Sequence, residues 1–416
     1  MASRSTTAAE HSSAPPSYLG PFITVAILFG IFGFLTNLNS NLSPELEAIF
    51  KLNHAWSNTV ATSWFLAYLI FSVPAAKVID AIGYKRTMVV SLFVMVAGAL
   101  LFVPAAHLIS FPIFLTASFV LATGVCGLQT AANPYVSILG PEHSAPARLT
   151  LAQAFNSAGT AVAPLVVSRF ILTDPSKVTT QAAVAQTVQG PYIAIACGLL
   201  VLAVAIMFMH LPAITGARDF HPSDTAGASR SIWSYKHTVL GMVGIFFYVG
   251  LEISLFANAI QFFAKQGITD KILAGELASF YPLAMMIGRF AGTVVMKAVR
   301  AERLLAILGV LGVALLLVGM FSTGYTAVWC LILCGFANSI MYPTIFALGI
   351  AELGPLTSKG SGVITIGNVG GAVMPFLFGA MADSFGYNYA FVLPIIGYLF
   401  ILFYGLSGYK PTRAAA

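Results

Sequence analysis

The stretch Gln129-Thr-Ala-Ala-Asn133-Pro134-Tyr135-Val-Ser-Ile-Leu139-Gly140-Pro141 has a counterpart later in the chain. Tyr342-Pro343-Thr344 runs into Leu348-Gly349 and then Leu353-Gly354-Pro355. Pro134 and Pro343 are 209 residues apart, close to half of the 416 in the chain. The residues that follow echo as well: Asn156…Gly159…Pro164 is answered by Asn368…Gly370…Pro375, at an offset of 211. One echo arises easily by chance; two at nearly one offset mark an internal duplication. Two related halves around a shared midplane site are the construction that alternating-access transporters use.

Composition places those halves in a bilayer. Apolar residues make up 58% of the chain and charged residues 8%, against roughly a quarter charged in an ordinary soluble domain. Apolar runs long enough to cross a membrane, roughly 20 residues each, recur from end to end. They give twelve spans: 19–46, 56–80, 87–107, 110–137, 148–172 and 189–211 in the first half, then 236–266, 268–298, 301–322, 325–351, 357–385 and 388–409 in the second. The expected fold is an all-α membrane protein of twelve transmembrane helices in two pseudo-symmetric six-helix bundles. Its expected divisions are a disordered cytoplasmic tail (1–18), an N-terminal bundle (19–211), a linker (212–235), a C-terminal bundle (236–409) and a short cytoplasmic tail (410–416).

Charge sets the orientation. With the N-terminus inside, fifteen of the 20 Lys and Arg fall on the inner side and five on the outer. This is the asymmetry that places both termini in the cytoplasm. The plasma (inner) membrane is the expected location, and the net charge of +6 reflects these loops rather than nucleic-acid binding. Ser, Thr, Ala and Pro dominate residues 1–17 with no cleavage pattern, which reads as a tail without a signal peptide. Cys126, Cys197, Cys330 and Cys334 all lie inside apolar runs without a His or acid beside them, so they read as small buried apolar residues and not as a metal site.

Two stretches resemble known families. Asp80-Ala-Ile-Gly83-Tyr-Lys85-Arg86 is similar to the cytoplasmic loop signature of the major facilitator superfamily: Gly83 permits a tight turn, and Asp80 can cap the next helix or pair with Lys85 or Arg86. Ala76 stands where that signature has a glycine. The run from Gln129 to Glu142, followed by Arg148-Leu-Thr-Leu-Ala-Gln153-Ala-Phe-Asn156-Ser, closely resembles the fucose–galactose–proton symporter family, which includes L-fucose and glucose/galactose permeases. Phe247-Tyr248-Val-Gly250-Leu-Glu252 and Tyr342-Pro343-Thr-Ile-Phe fit the same family. The resemblance implies a transporter of a neutral hexose-type sugar. It also marks a departure. That family carries an aspartate after Asn-Leu-Asn on the first helix and a glutamate before Thr-Ala-Ala-Asn-Pro on the fourth; here these positions are Ser40 and Gln129. Neither side chain titrates near neutral pH. A facilitated uniporter is therefore expected, with a proton-coupled symporter using Glu252 as the alternative.

The candidate site residues are the polar groups at bilayer depth, where an unsatisfied polar group is costly. They are Asn37, Ser40, Gln129, Asn133, Gln153, Asn156, Asn258, Gln261, Asn338, Tyr342 and Asn368, with Glu252 as the one acid deep in a span. Amides suit a sugar because each offers an acceptor and two donors to adjacent hydroxyls; the competing role for each is gluing helix to helix. Phe34, Trp64, Phe280 and Tyr281 are candidates for stacking on a pyranose ring. Glu252 and Gln261 are nine residues apart, on roughly opposite sides of a straight helix, so either that helix bends or Glu252 lies off the site. Asp80, Gly83, Lys85 and Arg86 form a candidate latch.

Other classes fit poorly. The chain has no Walker loop for ATP and no His-Glu zinc helix, so no enzyme, cofactor or metal is expected. A drug exporter calls for a more aromatic cavity with an acid, and an organic-anion carrier for a deep cation; the one candidate, Arg289, lies toward the cytoplasmic side. The segments outside the spans are too short for a receptor domain. The expected partners are a small neutral sugar, the lipid bilayer and, in the symport alternative, protons; the chain is expected to act as a monomer.

Overall fold

The computed structural model describes residues 19–49, 54–166, 181–209 and 231–411. The expected N-terminal tail, most of the linker and residues 412–416 lie outside that range. Every described element is helical. The N-half comprises α1 (Leu19–Ile49), α2 (His54–His107), α3 (Phe111–Ile138), α4 (Ala145–Val166) and α5 (Gln181–Phe208). The C-half comprises α6 (Lys236–Ala257), α7 (Ala259–Lys265), α8 (Lys271–Val295), α9 (Ala301–Phe321), α10 (Tyr325–Asn338), α11 (Met341–Gly349), α12 (Thr357–Ile366), α13 (Gly370–Phe385), α14 (Tyr387–Ala390) and α15 (Val392–Phe403). Among the described residues, ten stretches are long and apolar enough to cross a membrane. One of them, Thr62–His107, holds two spans that turn at Gly83, whose φ of 82° is a left-handed value that glycine adopts freely. The remaining span is α4, whose Arg148, Gln153, Asn156 and Ser157 lower its hydropathy. The twelve spans expected from the sequence are thus present.

The duplication is visible in how the helices cross. α1 packs on α4, and α6 packs on α13. In each crossing, glycines bring two backbones together. A Cβ on Gly159 would stand 1.9 Å from the Gly30 carbonyl oxygen, and one on Gly370 would stand 2.0 Å from that of Phe246. No other residue fits where two helices approach this closely, a device suited to lipid, where packing rather than water release drives association.

The two halves differ in continuity. Four spans of the C-half are interrupted: at Asn258 between α6 and α7, at Ser339 and Ile340 between α10 and α11, at a 3-10 turn, Gly367–Val369, between α12 and α13, and at Phe391 between α14 and α15. Pro343 explains the second break. It has no N–H to give the carbonyl four residues earlier, so the Ser339 carbonyl leaves the helical ladder.

The end of the bundle that carries the Gly83 turn, the 139–145 and 350–356 turns and residues 231–235 is called the linker end below. The two halves are sealed there. The Ser358 hydroxyl donates to the Asp80 carboxylate, and the Glu352 backbone N–H donates to Glu142 Oε1 at 3.0 Å. The Phe155 and Phe290 rings meet edge to face, 6.2 Å apart. α2 against α12 and α4 against α8 form the main contacts between the halves.

Candidate functional site

The site is built around the two prolines that first revealed the repeat. Pro134 frees the carbonyl of Thr130 as Pro343 frees that of Ser339. Both carbonyls find donors on other helices. Ser361 Oγ of α12 donates to the Thr130 oxygen at 2.7 Å, across the halves. Arg289 Nε of α8 donates to the Ser339 oxygen at 3.2 Å. A second nitrogen of the same guanidinium crosses to α4, donating to the Gln153 carbonyl at 3.1 Å and to the Ser157 hydroxyl. A buried backbone carbonyl without a donor is costly, and here that requirement stitches the halves together.

Above this seam lies a line of polar side chains. Gln153 Nε2 donates to Asn133 Oδ1, and Asn133 Nδ2 donates to the Tyr342 hydroxyl, each at 3.5 Å. Asn133 is wholly buried and Tyr342 nearly so. Asn368, in the 3-10 turn, adjoins the Tyr342 hydroxyl and anchors its own amide on the Thr365 carbonyl at 2.9 Å. Gln129 accepts from the Tyr68 hydroxyl at 3.4 Å and faces α1 across a small void lined by Leu28, Phe29 and Phe32. Contacts of 3.4–3.5 Å sit at the outer limit of hydrogen bonding, so these groups keep capacity for a ligand.

A family model described as Major Facilitator Superfamily matches residues 24–368. The chain belongs to the major facilitator superfamily. It is 40% identical over 402 residues to a glucose/galactose transporter of Brucella abortus, with 96% of each chain covered. It is 30% identical to the L-fucose-proton symporter of Escherichia coli, covering 89% of this chain and 88% of that one. A solved structure of the E. coli fucose:proton symporter matches with a TM-score of 0.83 at 28% identity, over 94% of this chain and 99% of that one. This major facilitator protein is a membrane transporter and not an enzyme.

Charge enters from the C-half. Glu252 projects from α6 and is half-buried. Its neighbours are Tyr248 and Arg289. Arg289 is only 8% exposed. Among the described residues the ion pair within 4 Å is Arg300–Glu302, so Glu252 and Arg289 adjoin without touching. The Tyr248 hydroxyl is buried without a hydrogen bond although both charges adjoin it; its ring stands 6.0 Å from that of Tyr342. The sequence placed Arg289 toward one side of the membrane and left it out of the site. The signal that recovers it is the Pro343 break, which leaves a carbonyl for it to hold.

Several expected site residues are placed elsewhere. Asn338 has both ends of its amide committed within the C-half: it donates to the Tyr281 hydroxyl at 2.6 Å and accepts from the Tyr398 hydroxyl at 2.7 Å. That is helix glue, and it also ties down Tyr281, which is buried against Phe256 instead of free to stack on a ligand. Asn258 caps its own helix on the Ser254 carbonyl at 2.9 Å. Asn258 and Gln261 lie more than twenty residues along their span, roughly 33 Å from the linker end at 1.5 Å per residue, whereas Asn133, Gln153 and Tyr342 lie roughly 8–12 Å in on the same scale. The break at Asn258 is the bend that separates Glu252 from Gln261. Asn156 gives its amide to the Phe29 carbonyl at 3.0 Å, which fastens the α1–α4 crossing. Asn37, Phe34 and Trp64 are half-buried, and Phe280 is 41% exposed beside Trp329. The Ser40 side chain lies outside the described residues. In the latch, Asp80 takes its hydrogen bond from Ser358, and Lys85 donates to the Met207 carbonyl at 2.9 Å. Asp80 forms no ion pair with Lys85 or with the exposed Arg86.

Proposed function

We propose that this chain carries a small neutral sugar of the glucose, galactose or fucose class across the cytoplasmic membrane by alternating access. The observation that carries this reading is the line Gln153–Asn133–Tyr342, which runs from one half to the other with amide and hydroxyl groups and no formal charge. A ligand whose hydroxyls replace those long contacts is held by both halves at once, and only such a ligand lets one half rock on the other while remaining bound. Two relatives are described as transporting glucose and galactose or L-fucose, which supports the substrate class. In this reading Gln129, Asn133, Gln153, Asn156 and Asn37 belong to the N-half side of the sugar site, and Tyr342, Asn368 and Glu252 to the C-half side. Both termini are cytoplasmic. The linker end is then the cytoplasmic gate, shut here.

The transport mode in this reading is uniport. The positions that resemble the proton-handling acids are Ser40 and Gln129, leaving Glu252 as the alternative route for protons. Purified protein in proteoliposomes decides the matter. Uptake of radiolabelled hexose, competed by sugars but not by organic acids or dyes, is the expected result. Uphill accumulation under an imposed proton gradient, abolished by Glu252→Gln while counterflow persists, overturns uniport. Failure of every sugar to compete overturns the substrate class.

A further inference from the structure

The two buried charges of the C-half point to how the gate is worked. With the linker end shut, Arg289 has three acceptors, and two of them, the Gln153 carbonyl and the Ser157 hydroxyl, belong to α4 of the other half. Opening that end parts α4 from α8 and removes both. The guanidinium cannot shed its charge, and a buried charge stripped of partners is strongly disfavoured. Another acceptor on its own half has to receive it. Glu252 adjoins Arg289 but is not in contact with it, and the Tyr248 hydroxyl, buried and without a hydrogen bond, adjoins both. The remaining titratable groups near Glu252 are Tyr281 of α8 and Tyr342 of α11.

We propose that Arg289 is a positioning residue that exchanges partners during the cycle: α4 holds it while the linker end is shut, and Glu252, approached along Tyr248, holds it while that end is open. Glu252 is then the counter-charge that makes the open state accessible. The inference rests on the alternating-access reading above and gives an acid a purpose in a uniporter. It also accounts for a carboxylate and a buried tyrosine hydroxyl that lie side by side in this region.

The test is a distance measurement between spin labels at His143→Cys and Lys297→Cys. These positions are exposed, at the linker end, on opposite halves. The background carries Cys197→Ala, since Cys126, Cys330 and Cys334 are buried. In nanodiscs without sugar, Arg289→Gln is expected to raise the ratio of long to short distances at least tenfold. Glu252→Gln is expected to lower that ratio at least tenfold and to slow sugar exchange by a similar factor. The double variant is expected to match Arg289→Gln alone, because Glu252 acts on the gate only through Arg289. Arg289→Lys keeps the charge without the forked reach, and is expected to loosen the shut state while still responding to Glu252→Gln; it serves if the glutamine variant does not fold. Additive effects of the two substitutions, or a distance ratio indifferent to Glu252→Gln, overturn the exchange of partners. Because the distances are read without sugar, a protein that shows them as expected but transports no sugar refutes only the substrate reading.

Discussion

Asn338→Ala separates helix glue from sugar site in one substitution. The Asn338 amide is wholly buried and joins Tyr281 on α8 to Tyr398 on α15 by two short hydrogen bonds, 2.6 and 2.7 Å. Truncation strands both hydroxyls. Side-chain hydrogen bonds between membrane helices are worth about 0.6 kcal/mol on average and about 1.7 kcal/mol at most, and a stranded buried hydroxyl costs about 1–3 kcal/mol. Two such losses together give a destabilisation of about 2–4 kcal/mol. The thermal midpoint of purified protein in detergent is expected to fall by several degrees, at a few degrees per kcal/mol for a chain of this size. Adding Tyr281→Phe and Tyr398→Phe removes the stranded groups and is expected to recover part of the loss. Sugar affinity per folded molecule, measured by isothermal titration, should stay within about twofold of the parent, since such a change is under about 0.5 kcal/mol. An unchanged midpoint with a tenfold loss of affinity refutes the argument and returns Asn338 to the site.

Gln153→Ala is expected to weaken sugar binding by about tenfold or more, the loss of a hydrogen-bonding partner in a desolvated site, while leaving the midpoint near that of the parent; calorimetry on purified protein checks both. Asn156→Ala is expected to weaken binding and also to lower the midpoint, because its amide fastens α1 through the Phe29 carbonyl. Tyr342→Phe is expected to slow sugar uptake by about five- to tenfold, in line with roughly 1 kcal/mol for the hydroxyl, and no effect from any C-half substitution refutes a shared site. Gly370→Ala places a methyl 2.0 Å from the Phe246 carbonyl oxygen and is expected to abolish monodisperse protein on size-exclusion chromatography, as is Gly159→Ala in the other half.

Much of this architecture was legible in the order of residues because lipid imposes strong rules. A spanning helix must be long and apolar, and Gly83 and Pro343 accompany a turn and a break that backbone chemistry accounts for. The glycines at 159 and 370 were visible as an echo, though their use in helix crossing was not. What sequence could not separate was a buried amide that binds ligand from one that binds another helix. Asn133 and Asn338 look alike in sequence; one makes long contacts across the halves and the other short bonds within its own. That difference depends on Tyr281 and Tyr398, which are 57 and 60 residues away. Arg289 was missed for a related reason. Its partners on α4 are a backbone carbonyl and a serine hydroxyl, and no pattern of opposite charges announces them.

The distribution of charge between the halves bears on whether the cycle can run without protons. Among the described residues, Tyr68, Gln129, Asn133 and Gln153, which the N-half brings to the central layer, do not titrate near neutrality. Both charges, Glu252 and Arg289, belong to the C-half and travel together when it moves. Opening the site therefore separates no ion pair, and a neutral sugar adds no charge to be balanced. Coupling requires that protonation shift the balance between the shut and open states, and that sugar and proton alter one another's affinity equally. Glu252 meets that requirement only if its proton is lost and regained in each cycle. A carboxylate that must stay ionised to receive Arg289 in the open state does the opposite, because protonating it removes the counter-charge and leaves the guanidinium with only neutral acceptors, the Ser339 carbonyl among them, on its own half. The same residue that keeps the symport alternative open thus argues, through its neighbour, for a transporter driven by the gradient of its sugar.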